Sequence, residues 1–256
     1  MLSHPPQVSI SEWIFLWNNT KKMPVYNKLN IVLGAPTVGS VLPSDFLNLR
    51  QWLKADSGIT LNAGNVASWN DLSGNGNHMV QGVAVNQPLF LSGAINNFPA
   101  VQFNGQSNLL RNATMSMAGP LTLYYVLKQI SFGQNKYLDY SNSAQGDAYT
   151  LYQVNTSPNI SVSGGVLHSN LAPLNTYVII TVVYNSTTSS LQINNNSPIT
   201  GATGTRDGVG LSIGGVHTFA GLNCNFELAE RMIYAGVQTS GQISALKNYL
   251  QNKYLL

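Results

Sequence analysis

Leu121-Thr122-Leu123-Tyr124-Tyr125-Val126-Leu127-Lys128 alternates along its whole length. Leu121, Leu123, Tyr125 and Leu127 fall on one side of an extended chain; Thr122, Tyr124, Val126 and Lys128 fall on the other. That period of two is the mark of a β-strand. A second run, Val178-Ile179-Ile180-Thr181-Val182-Val183, is apolar on both sides, so it is expected to be a central strand covered on both faces. Outward from these two runs, short apolar stretches recur between clusters of Gly, Asn, Ser and Pro: 66–69, 79–85, 99–103, 136–140, 149–154, 160–162, 190–194, 211–213 and 226–234. Such spacing predicts an all-β protein. Asn194-Asn195-Asn196 is expected to turn tightly, because Asn tolerates positive φ.

Two helices are expected beside the strands. The first is short and lies near 45–54, with Ser44 as N-cap, Asp45 in the first turn and Phe46, Leu49 and Leu53 as its apolar stripe. The second lies near 240–253. Thr239 and Gln242 have the spacing of a capping box, Ile243, Leu246, Tyr249 and Leu250 form the stripe, and Lys247 and Lys253 sit toward the C-terminal end. Residues 1–44 read differently. They carry five prolines and the cluster Trp13-Ile14-Phe15-Leu16-Trp17, and are expected to form an arm ahead of a domain at 45–256. Buried Trp contributes a large apolar area, so the arm is read either as capping the same domain or as docking on another subunit.

Composition narrows the function. Only 8% of the 256 residues are charged, against about 25% in an average domain. With 44% hydrophobic residues the chain is not a charged disordered tail. A net charge of +3, with no basic block longer than Lys21-Lys22, argues against nucleic acid as a partner. No uncharged apolar run reaches 18 residues, so no membrane insertion is expected. The first residues, Met1-Leu2-Ser3-His4-Pro5-Pro6, lack the basic and apolar parts of a secretory signal. A single cysteine, Cys224, excludes an internal disulfide and reads as a buried small hydrophobe.

Specific residues then resemble a known family. Leu53-Lys54-Ala55-Asp56, followed by the 64–77 stretch Gly-Asn-Val-Ala-Ser-Trp-Asn-Asp-Leu-Ser-Gly-Asn-Gly-Asn, is similar to the opening of the laminin-G-like jelly roll of the concanavalin A-like lectin/glucanase superfamily. Pro99-Ala100-Val101-Gln102-Phe103-Asn104-Gly105 resembles its next strand. Glu227-Leu228-Ala229-Glu230-Arg231-Met232-Ile233-Tyr234 resembles its late strand, and Ile243-Ser244-Ala245-Leu246-Lys247-Asn248-Tyr249-Leu250 its closing helix. The resemblance runs from about residue 48 to 256 and implies a two-sheet antiparallel jelly-roll sandwich. Domains of this kind occur in phage and viral structural proteins.

Asp71, Ser73 and Asn75 imitate the start of a calcium loop, but its twelfth position would be Gly82 instead of a bidentate Glu. Asp71, Gly74, Asn75 and Gly76 read more simply as a structural turn, with Trp69 packed beneath. Glu227 and Glu230 are the only close carboxylate pair, and on a regular strand a spacing of three puts them on opposite faces. Asp139, Asp147 and Asp207 read as isolated turn residues, and His4, His78, His168 and His217 match no metal-ligand spacing. Tyr124, Tyr140, Tyr149, Tyr152 and Tyr184 are candidate glycan-binding residues, since sugars need aromatic faces and polar neighbours.

The expectation is therefore a virion structural protein: a head fibre, capsid decoration or tail-associated subunit, tethered or oligomerised through residues 1–44. Its jelly roll would be displayed and would bind host glycans. No cofactor and no catalytic set are expected, so the chain is read as not an enzyme. The alternatives are a free carbohydrate-binding module and, behind it, a glycoside hydrolase.

Overall fold

In chain order the strands are β1 (Leu49–Lys54), β2 (Ile59–Asn62), β3 (Asn65–Trp69), β4 (Met79–Val80), β5 (Leu89–Ile95), β6 (Phe98–Asn104), β7 (Leu110–Met117), β8 (Leu121–Gln129), β9 (Lys136–Ser143), β10 (Gly146–Gln153), β11 (Asn159–Ser163), β12 (His168–Leu171), β13 (Tyr177–Tyr184), β14 (Ser189–Ile193), β15 (Ile199–Gly201), β16 (Gly208–Ile213) and β17 (Asn225–Ala235). One α-helix, α1 (Ser240–Tyr254), follows them. The computed structural model describes residues 41–143, 146–154, 159–163, 168–204, 207–218 and 221–256. The expected arm lies outside the described residues up to residue 40, and with it Trp13, Ile14, Phe15, Leu16 and Trp17.

The strands make an antiparallel sandwich, as the period-two pattern predicts. In the back layer, one edge of β17 pairs with β8, and its other edge is shared by β6 and β1. β8 passes on to β13, β14 and β15, and β6 passes to β5. The front layer runs β4, β7, β16, β9, β10, β11, β12. β3 pairs with β2, β4 and β5 and so joins the layers at one edge.

Between the layers lies a core that includes Trp69, Leu127, Val182, Leu211, Ile213 and Cys224. Phe103 and Phe226 stack there at 4.8 Å. The back layer's outer face is covered by α1, whose Leu246, Leu250 and Tyr254 pack with Trp52, Ile179, Ala229, Met232 and Tyr234. This explains the doubly apolar run: Val178, Ile180 and Val182 face the inner core, and Ile179 faces the helix side. The Cys224 thiol is enclosed, and burial raises its pKa.

The C-terminal helix starts as its capping box predicts. Gln242 N donates to Thr239 Oγ1 at 3.3 Å, and Thr239 N donates to Gln242 Oε1 at 2.9 Å. The helix expected near 45–54 does not form. Pro43–Asp45 makes one 3-10 turn, Asn48 takes φ 67°, and the chain then enters β1. Asp45 Oδ2 accepts from Leu42 N at 2.8 Å, so the turn is anchored by Asp45 and Ser44 is not its cap. The three residues of the supposed stripe also part company: Leu53 enters the inner core, while Phe46 and Leu49 pack on the helix side. Pairing with the open edge of β17 outweighs local helix propensity here. The run expected at 79–85 is also shorter, ending as a strand at Val80 before a 3-10 turn at Ala84–Asn86.

Two β-bulges change which residues share a face. In β17 the register against β8 shifts between Leu228 and Glu230. Phe226 and Leu228 face the inner core, Ala229 faces the helix, and Ile233 faces the inner core again. Glu230 therefore points to the helix side, bonding Tyr249 and Tyr254 of α1. Glu227 lies on that side too, bonded by Tyr177, which packs against the same cluster. The expectation of opposite faces is thus corrected: the inserted residue puts both carboxylates on one face. In β9 the register against β10 shifts beside Leu138. Leu138 enters the core and Asp139 also points inward, where Arg231 Nη2 meets its Oδ2 at 2.6 Å. Asp139 is a buried strand residue linking the two layers, not a turn residue.

Candidate functional site

The bulge in β9 leaves Tyr137 and Tyr140 together on the outer face of the front layer. The ladder registers place neighbours beside them. Tyr140 is opposite Ser212 of β16 and Thr150 of β10, and Ser212 is opposite Arg111 of β7. Tyr137 is opposite Tyr152, which is opposite Ser161 of β11. Four rings meet on this face. Tyr137 stacks on Tyr152 at 5.1 Å and meets Tyr140 edge-on at 5.5 Å. Tyr140 meets His217 edge-on at 6.2 Å. Tyr140 and Tyr152 are only 4% and 7% exposed, so their rings brace the cluster and offer little open surface. Tyr137 and His217 are half-buried and form its accessible side.

Beside the rings is a cleft of about 320 Å3, lined by Val80, Gln81, Leu109, Arg111, Ala113 and His217. Arg111 and Ala113 alternate outward on β7 while Leu110 and Met115 fill the core. Gln81 is fixed by a bond from its Nε2 to Leu109 O at 3.0 Å. His217 Nδ1 is buried with no hydrogen-bond partner among the described residues. Burial, and after it the positive charge of Arg111, hold the His217 pKa below the usual histidine value.

Of the five tyrosines singled out in the sequence, Tyr140 and Tyr152 lie in this cluster and three do not. Tyr124 is removed from the list of glycan contacts. It is wholly buried beneath α1, its hydroxyl donates to Gln238 Oε1, and burial pushes its pKa up. Tyr149 and Tyr184 meet edge-on at 4.7 Å in the inner core. They border a smaller cleft of about 140 Å3 at one end of the sandwich, with Asn185, Ser186 and Asp207. Tyr184 donates to Thr150 O at 2.8 Å, and Asp207 Oδ1 accepts from Gly119 N at 3.0 Å. The Tyr149 phenol is pushed up to about 12 by burial and then by Asp207. Tyr137 escaped the sequence reading. The strand at 136–140 was visible, but only the bulge reveals that Tyr137 shares a face with Tyr140.

The Asp71 carboxylate is occupied by its own loop and by β1. Oδ1 accepts from Trp52 N and Ser73 N, both at 2.9 Å; Oδ2 accepts from Ser73 Oγ at 2.7 Å and Asn77 N at 2.9 Å. Asn75 Nδ2 donates to Leu49 O at 2.7 Å, and Gly74 and Gly76 take φ 88° and 72°. Trp69 is fully buried beneath. No group of three or more His, Cys, Asp or Glu able to hold a metal is found among the described residues.

The two glutamates are occupied as well. Glu230 is fully buried and accepts from Trp52 Nε1 at 2.7 Å, Tyr249 OH at 3.1 Å, Tyr254 OH at 2.9 Å and Lys253 Nζ at 2.8 Å. Glu227 accepts from the Tyr177 hydroxyl and pairs with Lys128 at 2.8 Å. Burial and then the adjacent carboxylate raise the pKa values of Tyr249 and Tyr254.

No protein-family model matches the chain, and no curated protein matches it. Solved structures do. Domain 4 of an extracellular GH43 arabinanase from Geobacillus stearothermophilus, in complex with arabinotriose, aligns with 78% of this chain and 98% of its own, at TM-score 0.54 and 14% identity. A GH54 α-L-arabinofuranosidase aligns over 74% of this chain and 51% of its own, at TM-score 0.56 and 14% identity. A Trypanosoma rangeli sialidase aligns over 86% of this chain and 36% of its own, at TM-score 0.58 and 12% identity. The chain thus spans about half the length of the arabinofuranosidase and about a third of the sialidase. At these identities the likeness establishes the β-sandwich fold. It also corrects the expectation of a chain that is not an enzyme: enzyme chains, the arabinofuranosidase and the sialidase, contain this fold.

Proposed function

We propose that this chain is a carbohydrate-recognition domain that binds saccharide on the outer face of its front layer. The observation that carries the reading is the ring cluster Tyr137–Tyr152–Tyr140–His217 bordering a cleft whose walls mix polar and apolar side chains. A sugar ring presents apolar C–H faces and polar hydroxyls, and such a site offers a partner to each. Tyr137, half-exposed and backed by Tyr152, is the stacking residue. Gln81, Arg111 and His217 face the hydroxyls from the cleft. Consistent with this, the arabinanase domain that aligns over nearly its whole length was solved in complex with arabinotriose. The laminin-G-like resemblance of residues 48–256 has the same sense.

The finer assignment is display on a virion, with residues 1–44 as the tether. Its support is the sequence alone: few charges, an apolar Trp-rich arm and a resemblance to jelly rolls of viral structural proteins. Deleting residues 1–44 is expected to abolish incorporation into the particle, and incorporation of the truncated chain would end that assignment. The recognition reading has its own test. Isothermal titration of the full chain with arabino- and xylo-oligosaccharides should give binding that Tyr137→Ala weakens about fivefold, the equivalent of about 1 kcal/mol from one ring face. Unchanged affinity in Tyr137→Ala would refute this face as the site. Product analysis in the same mixtures measures any hydrolysis.

A further inference from the structure

We infer that the cleft beside Arg111 and His217 receives the anionic group of an acidic saccharide, so that the recognition face selects charged over neutral sugars. The inference rests on the recognition reading and narrows its ligand.

It starts from how this charge-poor chain disposes of its ions. Every carboxylate whose side chain is described already has partners. Asp45 accepts from Leu42 N, and Asp71 is filled by its loop and by β1. Asp56 meets Lys54 and Lys253, Asp139 meets Arg231, and Asp207 accepts from Gly119 N. Glu227 meets Lys128, and Glu230 meets Lys253. The described cations are engaged too, with one exception. Arg50 donates to Ser116 O, Lys136 to Gly221 O and Lys247 to Gln192 Oε1. Arg111 alone among the described residues has neither an ion pair nor a side-chain hydrogen bond. It is exposed, and it stands at a cleft that adjoins the ring cluster through His217.

The register fixes its direction. Arg111, Ser212 and Tyr140 form one transverse row on the outer face; Tyr137 meets Tyr140, and Tyr140 meets His217 at the cleft, so a sugar stacked on Tyr137 that follows this row reaches the guanidinium. No described carboxylate lines the cleft to neutralise that charge. A guanidinium donates two parallel N–H bonds to a carboxylate, and a single cation among the described residues of a cleft of about 320 Å3 suits one charged group on a small ligand. A polyanion tracked along its backbone would need a row of cations.

The test uses the full chain and three probes: trigalacturonic acid, its neutral methyl ester, and a sulfated disaccharide. Affinities are measured by titration calorimetry for the wild-type chain and for Arg111→Ala, Arg111→Lys and Tyr137→Ala. The acid is expected to bind at least about tenfold tighter than the ester at low salt. Arg111→Ala should erase that preference without changing the unfolding temperature, and Arg111→Lys should keep part of it. A sulfated probe that binds through Arg111 more tightly than the acid identifies sulfate as the anion received. Equal binding of acid and ester, or a preference that survives Arg111→Ala, overturns the inference and leaves the recognition reading intact. A preference lost in Arg111→Ala but untouched in Tyr137→Ala overturns the ring face and leaves the anion cleft. Absence of binding by all probes removes both.

Discussion

Replacing Glu230 with Gln tests the network that holds α1 against the sandwich. The carboxylate is fully buried and accepts four hydrogen bonds, two from α1 tyrosines, one from Lys253 and one from the Trp52 indole. Gln matches it in size and keeps one oxygen. On that oxygen the bonds from Trp52 and Tyr249 can persist. The new amide nitrogen takes the place of Oε2, where it faces Tyr254 OH and Lys253 Nζ. Tyr254 can rotate its hydroxyl and accept; the ammonium cannot. Lys253 retains Asp56 at 3.2 Å and is 12% exposed, which softens the loss. Breaking one side of a buried ion pair costs about 3–5 kcal/mol, and these compensations place Glu230→Gln near the lower end, about 3 kcal/mol. For a domain of this size the unfolding temperature should fall by roughly 6–12 °C. Urea unfolding followed by tryptophan fluorescence gives the free energy, and calorimetry gives the temperature. A loss under about 0.5 kcal/mol, the range of ordinary surface substitutions, would mean that the four bonds do not hold the helix as described.

Asp71→Ala removes the acceptor of three backbone N–H groups and one hydroxyl. About 2–4 kcal/mol of stability should be lost in urea unfolding, and the wild-type unfolding temperature should be the same in calcium and in a chelator, because the carboxylate's acceptor positions are filled from within. His217 should make stability depend on pH. Its native pKa lies below the unfolded value, so between the two the unfolded chain binds more protons. Its contribution is therefore complete above the ordinary histidine range and declines as pH falls through that range toward the lowered native value. Urea unfolding between about pH 5 and 8 should show a slope that His217→Asn reduces.

The order of the main strands was legible because burial imposes a period of two, and a strand covered on both faces betrays itself by losing that period. The 121–128 and 178–183 runs are the two cases. The closing helix was legible from Thr239 and Gln242, whose bonds are local. The first helix failed for the opposite reason. The stripe of Phe46, Leu49 and Leu53 satisfies a helical spacing, yet these residues pack on two different clusters once β1 joins β17. β2, β5, β7, β12 and β15 went unseen. β5 and β7 place exposed or half-buried residues at most positions and carry no sustained apolar face, and β15 has only three residues. At the candidate site the sequence identified Tyr140 and Tyr152 but not Tyr137, and it noted His217 without a partner. Arg111 carried no mark at all: its distinction is that nothing among the described residues pairs with it, which depends on the whole fold.

Both candidate sites turn on single inserted residues. A strand of strict period would send Glu227 and Glu230 to opposite faces, and Tyr137 and Tyr140 likewise, since each pair is three residues apart. A bulge in β17 and another in β9 reverse both outcomes. The consequences differ because of what covers each face. Behind β17 Glu230 meets Tyr249, Lys253 and Tyr254 of α1 and its lone pairs hold that helix, while Glu227 on the same face is taken up by Tyr177 and Lys128 of the neighbouring strands. In front of β9 the two tyrosines join Tyr152 and His217 beside a cleft whose Arg111 has no ion pair among the described residues. The same local device therefore serves an anchoring network on the covered face and brings the rings of the proposed recognition surface together on the other. Acidity is consumed where the protein needs cohesion, and positive charge is left unspent where the rings open. That division makes the charge preference measured through Arg111 the most direct test of the front face as a binding surface.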